Sequence, residues 1–329
     1  MSTPGPTSAA PARVTTAPLL VLLLLAAALL AAGCGGGAAP TKVTLQLNWL
    51  HEAEFSGYYV AQAKGFYKDQ GLDVTILEGG PGTPARDMVM SGKSTFAITS
   101  FAEQRDMVVA GKPTVAVMAA FQISPSTIFA LQSSGIHDPR DLQGKKVGVT
   151  TDYWANMLDE TLKAAGVDPT SVTKVKVKVD ELDKLYDGTV DAWLGYAQDE
   201  PIRATLAGHP VNNIFPADFG IGGYEGLLIA TQETIDSSPQ TVAAFVAASD
   251  LGWRYAVEHP DEAATILTSW AKDTSLDFQK LAIRAVSPLV DTPQVPVGWI
   301  DAARWQQLMG DKYDKQNPGF TMRFSPAKP

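Results

Sequence analysis

Residues 41–48 (TKVTLQLN) alternate between polar and apolar side chains, the period of a half-buried strand. The same reasoning predicts strands over 72–77 (LDVTIL), 95–99 and 114–121. Between them the apolar spacing turns helical over 57–70, 84–91 and 102–110, with Gly71 and Gly92 placed as helix stops. This βαβαβαβ order predicts a parallel sheet with helices on both faces. A second series follows. Strands are expected over 127–131, 146–149, 172–179, 191–194 and 211–215, and helical segments over 137–142, 153–165, 181–186 and 200–206. A strand over 226–230 and helices over 239–257, 260–271 and 276–286 complete the pattern. The two series join through 123–127 and 220–225, and no tandem repeat is visible. Such a chain predicts two α/β lobes, a double hinge, and a ligand cleft at the carboxyl ends of the strands.

The first forty residues break the pattern. Arg13 is followed by the apolar run 19–30 (LLVLLLLAAALL), then Ala31, Ala32, Gly33 and Cys34. A cation, an apolar stretch of about 7–15 residues and small residues describe a secretory signal, and the run is short for a membrane span of about 20. Cys34 is the sole cysteine and sits where a bacterial lipobox places its lipid acceptor. The expected division is a lipoprotein signal over 1–33, a lipidated Cys34 with a flexible tether over 34–40, one lobe from 41–123 and 223–329, and a second from 124–222. Anchoring through Cys34 puts the protein outside the cytoplasm, attached to the membrane.

Composition narrows the partners. The chain has 329 residues, 45% of them hydrophobic and 19% charged, with a net charge of −9. This excludes a disordered or collagen-like chain and argues against nucleic-acid binding. A single cysteine excludes a multi-cysteine metal or iron–sulfur site, and the four histidines lack metal-ligand spacing, so neither metal nor cofactor is expected.

The stretch 47–74 (LNWLHEAEFSGYYVAQAKGFYKDQGLDV) resembles the opening of the substrate-binding proteins related to the thiamine-pyrimidine synthases of fungi. The shared pattern is Asn48-Trp49 at a strand end, an aromatic Gly-Tyr-Tyr, Ala-x-x-x-Gly-Phe-Tyr, and Gly-Leu-Asp-Val. The stretches 79–82 (GGPG), 138–149 (DPRDLQGKKVGV) and 188–201 (GTVDAWLGYAQDEP) extend it over most of 42–230. The resemblance implies a type II periplasmic-binding-protein fold. It also implies a monomeric receptor that closes over a small heteroaromatic ligand and hands it to an ABC permease. The leading ligand is a thiamine pyrimidine precursor, hydroxymethylpyrimidine or formylaminopyrimidine, with riboflavin as the alternative.

Candidate contacts follow from residue chemistry read beside the resemblance. Trp49 offers a flat apolar face, and His51 one donor and one acceptor. Phe55 and Tyr58 stand at helical spacing, which also suits a core stripe. The 79–83 turn can present backbone N–H groups or can simply be a tight turn. Ser100 is a contact or a helix N-cap, and Glu103 would accept N–H groups of a pyrimidine-like ring. Tyr153, Asn156 and Tyr196 lie where the resemblance places contacts from the second lobe, and Asp218 and Tyr224 flank the return passage. The fungal enzymes carry a cysteine-rich iron-binding run. This chain has no cysteine after Cys34, so a binding module, not an enzyme, is expected. A sensor ectodomain is the third reading.

Overall fold

The computed structural model describes residues 1–3, 5, 39–80, 82–293 and 295–326. The apolar run 19–30, Cys34 and the tether glycines lie outside the described residues, as does Pro81. Residues 40–329 form one unit.

That unit is built on two five-stranded sheets. The first joins β1 (Thr41–Gln46), β2 (Leu72–Leu77), β3 (Phe96–Thr99), β4 (Thr114–Phe121) and β10 (Glu225–Thr231) in the order β2-β1-β3-β10-β4. The second joins β5 (Ser126–Leu131), β6 (Lys146–Val149), β7 (Thr173–Lys176), β8 (Ala192–Tyr196) and β9 (Val211–Ile214) in the order β7-β6-β8-β5-β9. Each is mixed, which corrects the all-parallel expectation. β10 runs antiparallel to β3 and β4, and β5 antiparallel to β8 and β9. The reason is connectivity: β5 is the strand by which the chain enters the second sheet, and β10 the strand by which it returns to the first. Each lies next to the last position of its sheet and points back across it.

The helices are α1 (Ser56–Ala63), α2 (Phe66–Asp69), α3 (Ala85–Met90), α4 (Phe101–Val109), α5 (Asp152–Ala164), α6 (Asp183–Tyr186), α7 (Glu200–Leu206), α8 (Gln232–Ser237), α9 (Pro239–Glu258), α10 (Pro260–Leu267), α11 (Leu276–Val290) and α12 (Ala302–Met309). The single helix expected over 57–70 is broken at Gly65, whose φ of 80° is left-handed and open to glycine at no steric cost. Only 173–176 of the expected strand 172–179 pairs, because β6 offers just four partners. The short helix expected at 137–142 is a 3₁₀ turn over Pro139–Leu142, started by an Asp138 capping box.

The main core lies between the first sheet and α1, α9, α10 and α11, where Tyr58, Phe96, Phe245 and Trp253 are fully enclosed. β4 is an edge strand, yet all eight of its residues are buried. The chain's last segment covers that edge: Ala116 exchanges hydrogen bonds with Gly319 and Thr321, at 3.0 and 2.9 Å.

Candidate functional site

Strand direction brings the chemistry together. β1, β3 and β4 end, and β10 begins, at the same border of the first sheet, so Asn48, Ser100, Phe121 and Glu225 converge. In the second sheet Tyr196 ends β8 opposite Ser126, which begins β5. Gly79 fixes the loop after β1. Its N–H donates to the Trp49 carbonyl at 2.9 Å, and a Cβ there would lie 2.3 Å from the Leu47 carbonyl oxygen. Gly79 is therefore there for close packing.

Two cavities meet at Asn48, Glu54 and Tyr196. The outer, of about 270 Å³, is walled by Trp49 and Glu52 on one side and by Thr150, Thr151, Trp154, Asp199 and Glu200 on the other. The inner recess, of about 50 Å³, adds Phe55, Ile98, Ser100, Phe121, Pro125 and Glu225. Trp154 meets Tyr196 edge to face at 5.0 Å. An adjoining cavity of about 600 Å³ lies beyond Glu52 and Asp199, lined by His51, Glu78, Gln198, Arg203 and Trp270 among others.

The walls are acidic. Burial, then the neighbouring Glu225 and Asp199, push the Glu54 carboxyl up to about 8. Burial and Glu103 push Glu225 up to about 8. Glu52 rises to about 9 through burial and then Glu54, Asp199 and Glu200. Burial and Asp199 lift Glu200 to about 7 against the pull of the Tyr196 N–H, which donates to it at 3.0 Å. Two of the nearby cations are already engaged: Arg203 with Asp199 at 2.5 Å and Arg86 with Glu103 at 2.9 Å. Such a site presents carboxyl groups that both accept and donate, framed by aromatic rings.

Several expected contacts hold these positions. Asn48, Trp49 (41% exposed), Phe55, Ser100 and Tyr196 all line the two cavities. Ser100 also caps α4, accepting the Glu103 N–H at 3.1 Å. Others do not, for physical reasons. Tyr58 is fully buried in the core, edge-on to Trp253 at 5.8 Å. Tyr224 is buried under α12, where its hydroxyl accepts the Asp301 N–H at 2.9 Å and Arg304 lies over its ring. Asp218 is exposed on the 3₁₀ turn Pro216–Phe219, and Asn156 is exposed on α5. Neither lines the two cavities. His51 lines the adjoining cavity instead. Its Nδ1 meets the Tyr59 hydroxyl at 2.8 Å, and burial, partly opposed by Glu78, lowers its pKa. Glu103 has its oxygens taken by Thr99 (2.6 Å) and Arg86, leaving it as a fixed charge behind Glu225. Tyr153 is 41% exposed and lines neither of the two cavities, and its neighbour Trp154 supplies the aromatic wall.

The residues that sequence reasoning missed are Glu52, Glu54, Trp154, Glu200 and Glu225. The pair Glu52 and Glu54, directly after a strand end, was a usable signal. Glu225 was not, since only the fold shows that a hinge residue starts a central strand.

Residues 52–263 match the family described as NMT1/THI5 like. The chain belongs to this NMT1/THI5-like family. Within it, the chain is 26% identical over 297 residues to a protein named 4-amino-5-hydroxymethyl-2-methylpyrimidine phosphate synthase from Legionella pneumophila, covering 88% of this chain and 94% of that one. It is likewise 26% identical to the riboflavin-binding protein RibY of Chloroflexus aurantiacus, covering 82% and 80%. A formylaminopyrimidine-binding protein of Halalkalibacterium halodurans matches at 26% over 278 residues, 81% and 83% of the two chains. The solved periplasmic aliphatic sulphonate-binding protein of Escherichia coli superposes with a TM-score of 0.66 at 15% identity, over 82% and 85%. This last likeness establishes the type II periplasmic-binding-protein fold.

Proposed function

We propose that this NMT1/THI5-like protein is an extracytoplasmic receptor, anchored through Cys34, that captures an amino-substituted pyrimidine for an ABC importer. The observation that carries the reading is the lining of the outer cavity, aromatic at Trp49, Trp154 and Tyr196 and acidic at Glu52, Glu54 and Glu200, which shares Glu54 and Tyr196 with the recess that holds Glu225. An aminopyrimidine has a flat ring for the aromatic walls and N–H groups for the carboxyls. A cavity of about 270 Å³ stands at the small end of ligand clefts, roughly 300–1,000 Å³, which favours one ring over the three fused rings of a flavin. A sulfonate carries no N–H donor for these carboxyls, and none of the described residues lining the recess is Lys, Arg or His to pair with its charge. In this reading 124–222 moves as one lobe against 41–123 with 223–329, and closure presents the complex to the permease. The working unit is a monomer that binds no nucleic acid.

Relatives named as synthases support an enzyme as the competing reading. Among the described residues no group of three or more His, Cys, Asp or Glu is placed to hold a metal ion. Titration of the mature chain with hydroxymethylpyrimidine, formylaminopyrimidine, riboflavin and an alkanesulfonate, followed by tryptophan fluorescence, tests the proposal. Saturable micromolar or tighter binding of a pyrimidine supports it. Riboflavin alone binding transfers the site to the flavin class. Iron-dependent turnover of pyridoxal phosphate replaces the receptor with an enzyme.

A further inference from the structure

His51 stands just after β1 and lines the cavity of about 600 Å³ that adjoins the outer one beyond Glu52 and Asp199. Its surroundings treat the two ring nitrogens differently. Nδ1 lies 2.8 Å from the Tyr59 hydroxyl. Tyr59 is fully buried, so its O–H needs a protein acceptor, and His51 Nδ1 is the one in reach. The Glu52 backbone N–H approaches the same phenol oxygen and supplies it with a donor. An Nδ1–H would leave the phenol proton stranded. Nδ1 is therefore the acceptor, and in the neutral ring Nε2 carries the hydrogen. Burial, partly opposed by Glu78, lowers the His51 pKa and so favours that neutral ring. The ring is also held in place. Trp270, on the same cavity wall, stacks on Tyr59 at 4.8 Å and meets His51 edge to face at 5.2 Å.

Nε2–H has no such partner. Glu78 Oε1 stands 4.0 Å away, beyond hydrogen-bond reach, and takes the His51 backbone N–H at 3.2 Å instead. The His51 side chain keeps 17% of its surface open. We propose that His51 Nε2–H is a fixed donor for an oxygen acceptor, a hydroxyl or a carbonyl, on a side arm of the ligand that reaches from the outer cavity into the adjoining one. The two cavities share Glu52 and Asp199, so a ring resting on Trp49 and Trp154 has its next free space beside His51. Carboxyls also line that space, at Glu78 and Asp273 among others. A hydroxyl answers both, accepting from His51 and donating to a carboxyl. A methyl in its place leaves Nε2–H unpaired, which costs affinity. The side arm rests on the receptor reading above; the fixed tautomer does not.

The first measurement is nitrogen-15 NMR of the histidine rings in the full ligand-free chain at about pH 8, where an ordinary histidine is neutral. His51 should show a bare Nδ1 and a protonated Nε2, and Tyr59→Phe should move it toward a mixture of the two tautomers. A protonated Nδ1, or a His51 spectrum unmoved by Tyr59→Phe, overturns the fixed donor. The second measurement is calorimetry with hydroxymethylpyrimidine and with the analogue that carries methyl in place of hydroxymethyl. The wild type should prefer the hydroxymethyl compound by about tenfold. His51→Phe should bind the two alike. His51→Gln, whose amide nitrogen can stand where Nε2 stood, should recover part of the preference, and His51→Asn should not. Equal binding in the wild type, or a preference that survives His51→Phe, overturns the side arm and spares the receptor. If neither pyrimidine binds, the receptor reading and the side arm fall together, and the first measurement still decides the tautomer.

Discussion

Gly57→Ala isolates the packing that holds the recess in shape. Gly57 faces α9 at the start of α1. A Cβ built on it would lie 2.2, 2.3 and 2.6 Å from the Trp253 ring atoms Cγ, Cδ2 and Cδ1. The tryptophan has no room to yield. It is 1% exposed and meets Tyr58 at 5.8 Å and Phe121 at 5.7 Å, each edge to face. Alanine gains about 1 kcal/mol of helix propensity over glycine, but overpacking a filled core costs about 1–3 kcal/mol and more when backbone must move. With no room to yield, the cost lies at or above the top of that range, and a net loss of about 2 kcal/mol or more lowers Tm by roughly 3 °C or more at this chain size. Function should fall with it, because Glu54 and Phe55 immediately precede α1 and move when it is displaced. Calorimetric melting and a ligand titration of the same sample read both effects. Gly92→Ala is the comparison, since its Cβ meets nothing within 4 Å and only its φ of 70° resists. It should cost about 1 kcal/mol and leave affinity intact. A Gly57→Ala protein that melts at or above the wild type would refute the argument.

Three shorter predictions follow from the same geometry. Glu52, Glu54 and Glu225 have folded-state values raised well above the ordinary 4.5, so the folded chain binds more protons than the unfolded one across that interval. Stability should therefore fall as pH rises from about 5 to about 8, and Glu225→Gln should recover on the order of 2 kcal/mol at pH 8 in denaturant titrations. Trp49→Ala should leave melting nearly unchanged, because the side chain is 41% exposed, while weakening ligand binding about tenfold or more by fluorescence or calorimetry. Tyr224→Phe should do the reverse: it removes the acceptor of the part-buried Asp301 N–H, costs about 1 kcal/mol of stability and leaves affinity alone.

The alternation and helical spacing were enough to locate most elements, and β2, β4, β6 and α7 fall where the pattern places them. Pairing was harder to read. Nothing local in 126–131 or 225–231 says that these strands run against their neighbours; that follows from where the chain crosses between sheets. The aromatic side of the site was legible because Trp49, Phe55 and Tyr196 sit at strand ends or just beyond them. The acidic side was not. Glu54 and Glu225 lie 171 positions apart and acquire meaning only when β10 inserts between β3 and β4. Tyr58 and Tyr224 line neither cavity, for the opposite reason. Each is an aromatic next to a functional segment, and each is drawn inward by a neighbouring tryptophan, Trp253 and Trp305.

In the proposed receptor, carboxyl groups select the ligand by its N–H donor edge. Calorimetry of the mature chain with hydroxymethylpyrimidine, beside the analogue whose amino group is replaced by oxo, tests it most directly. The account predicts one site per chain and an analogue weaker by about 100-fold or more, because its oxygen faces an acceptor left unpaired. Equal affinity for the two compounds would contradict it.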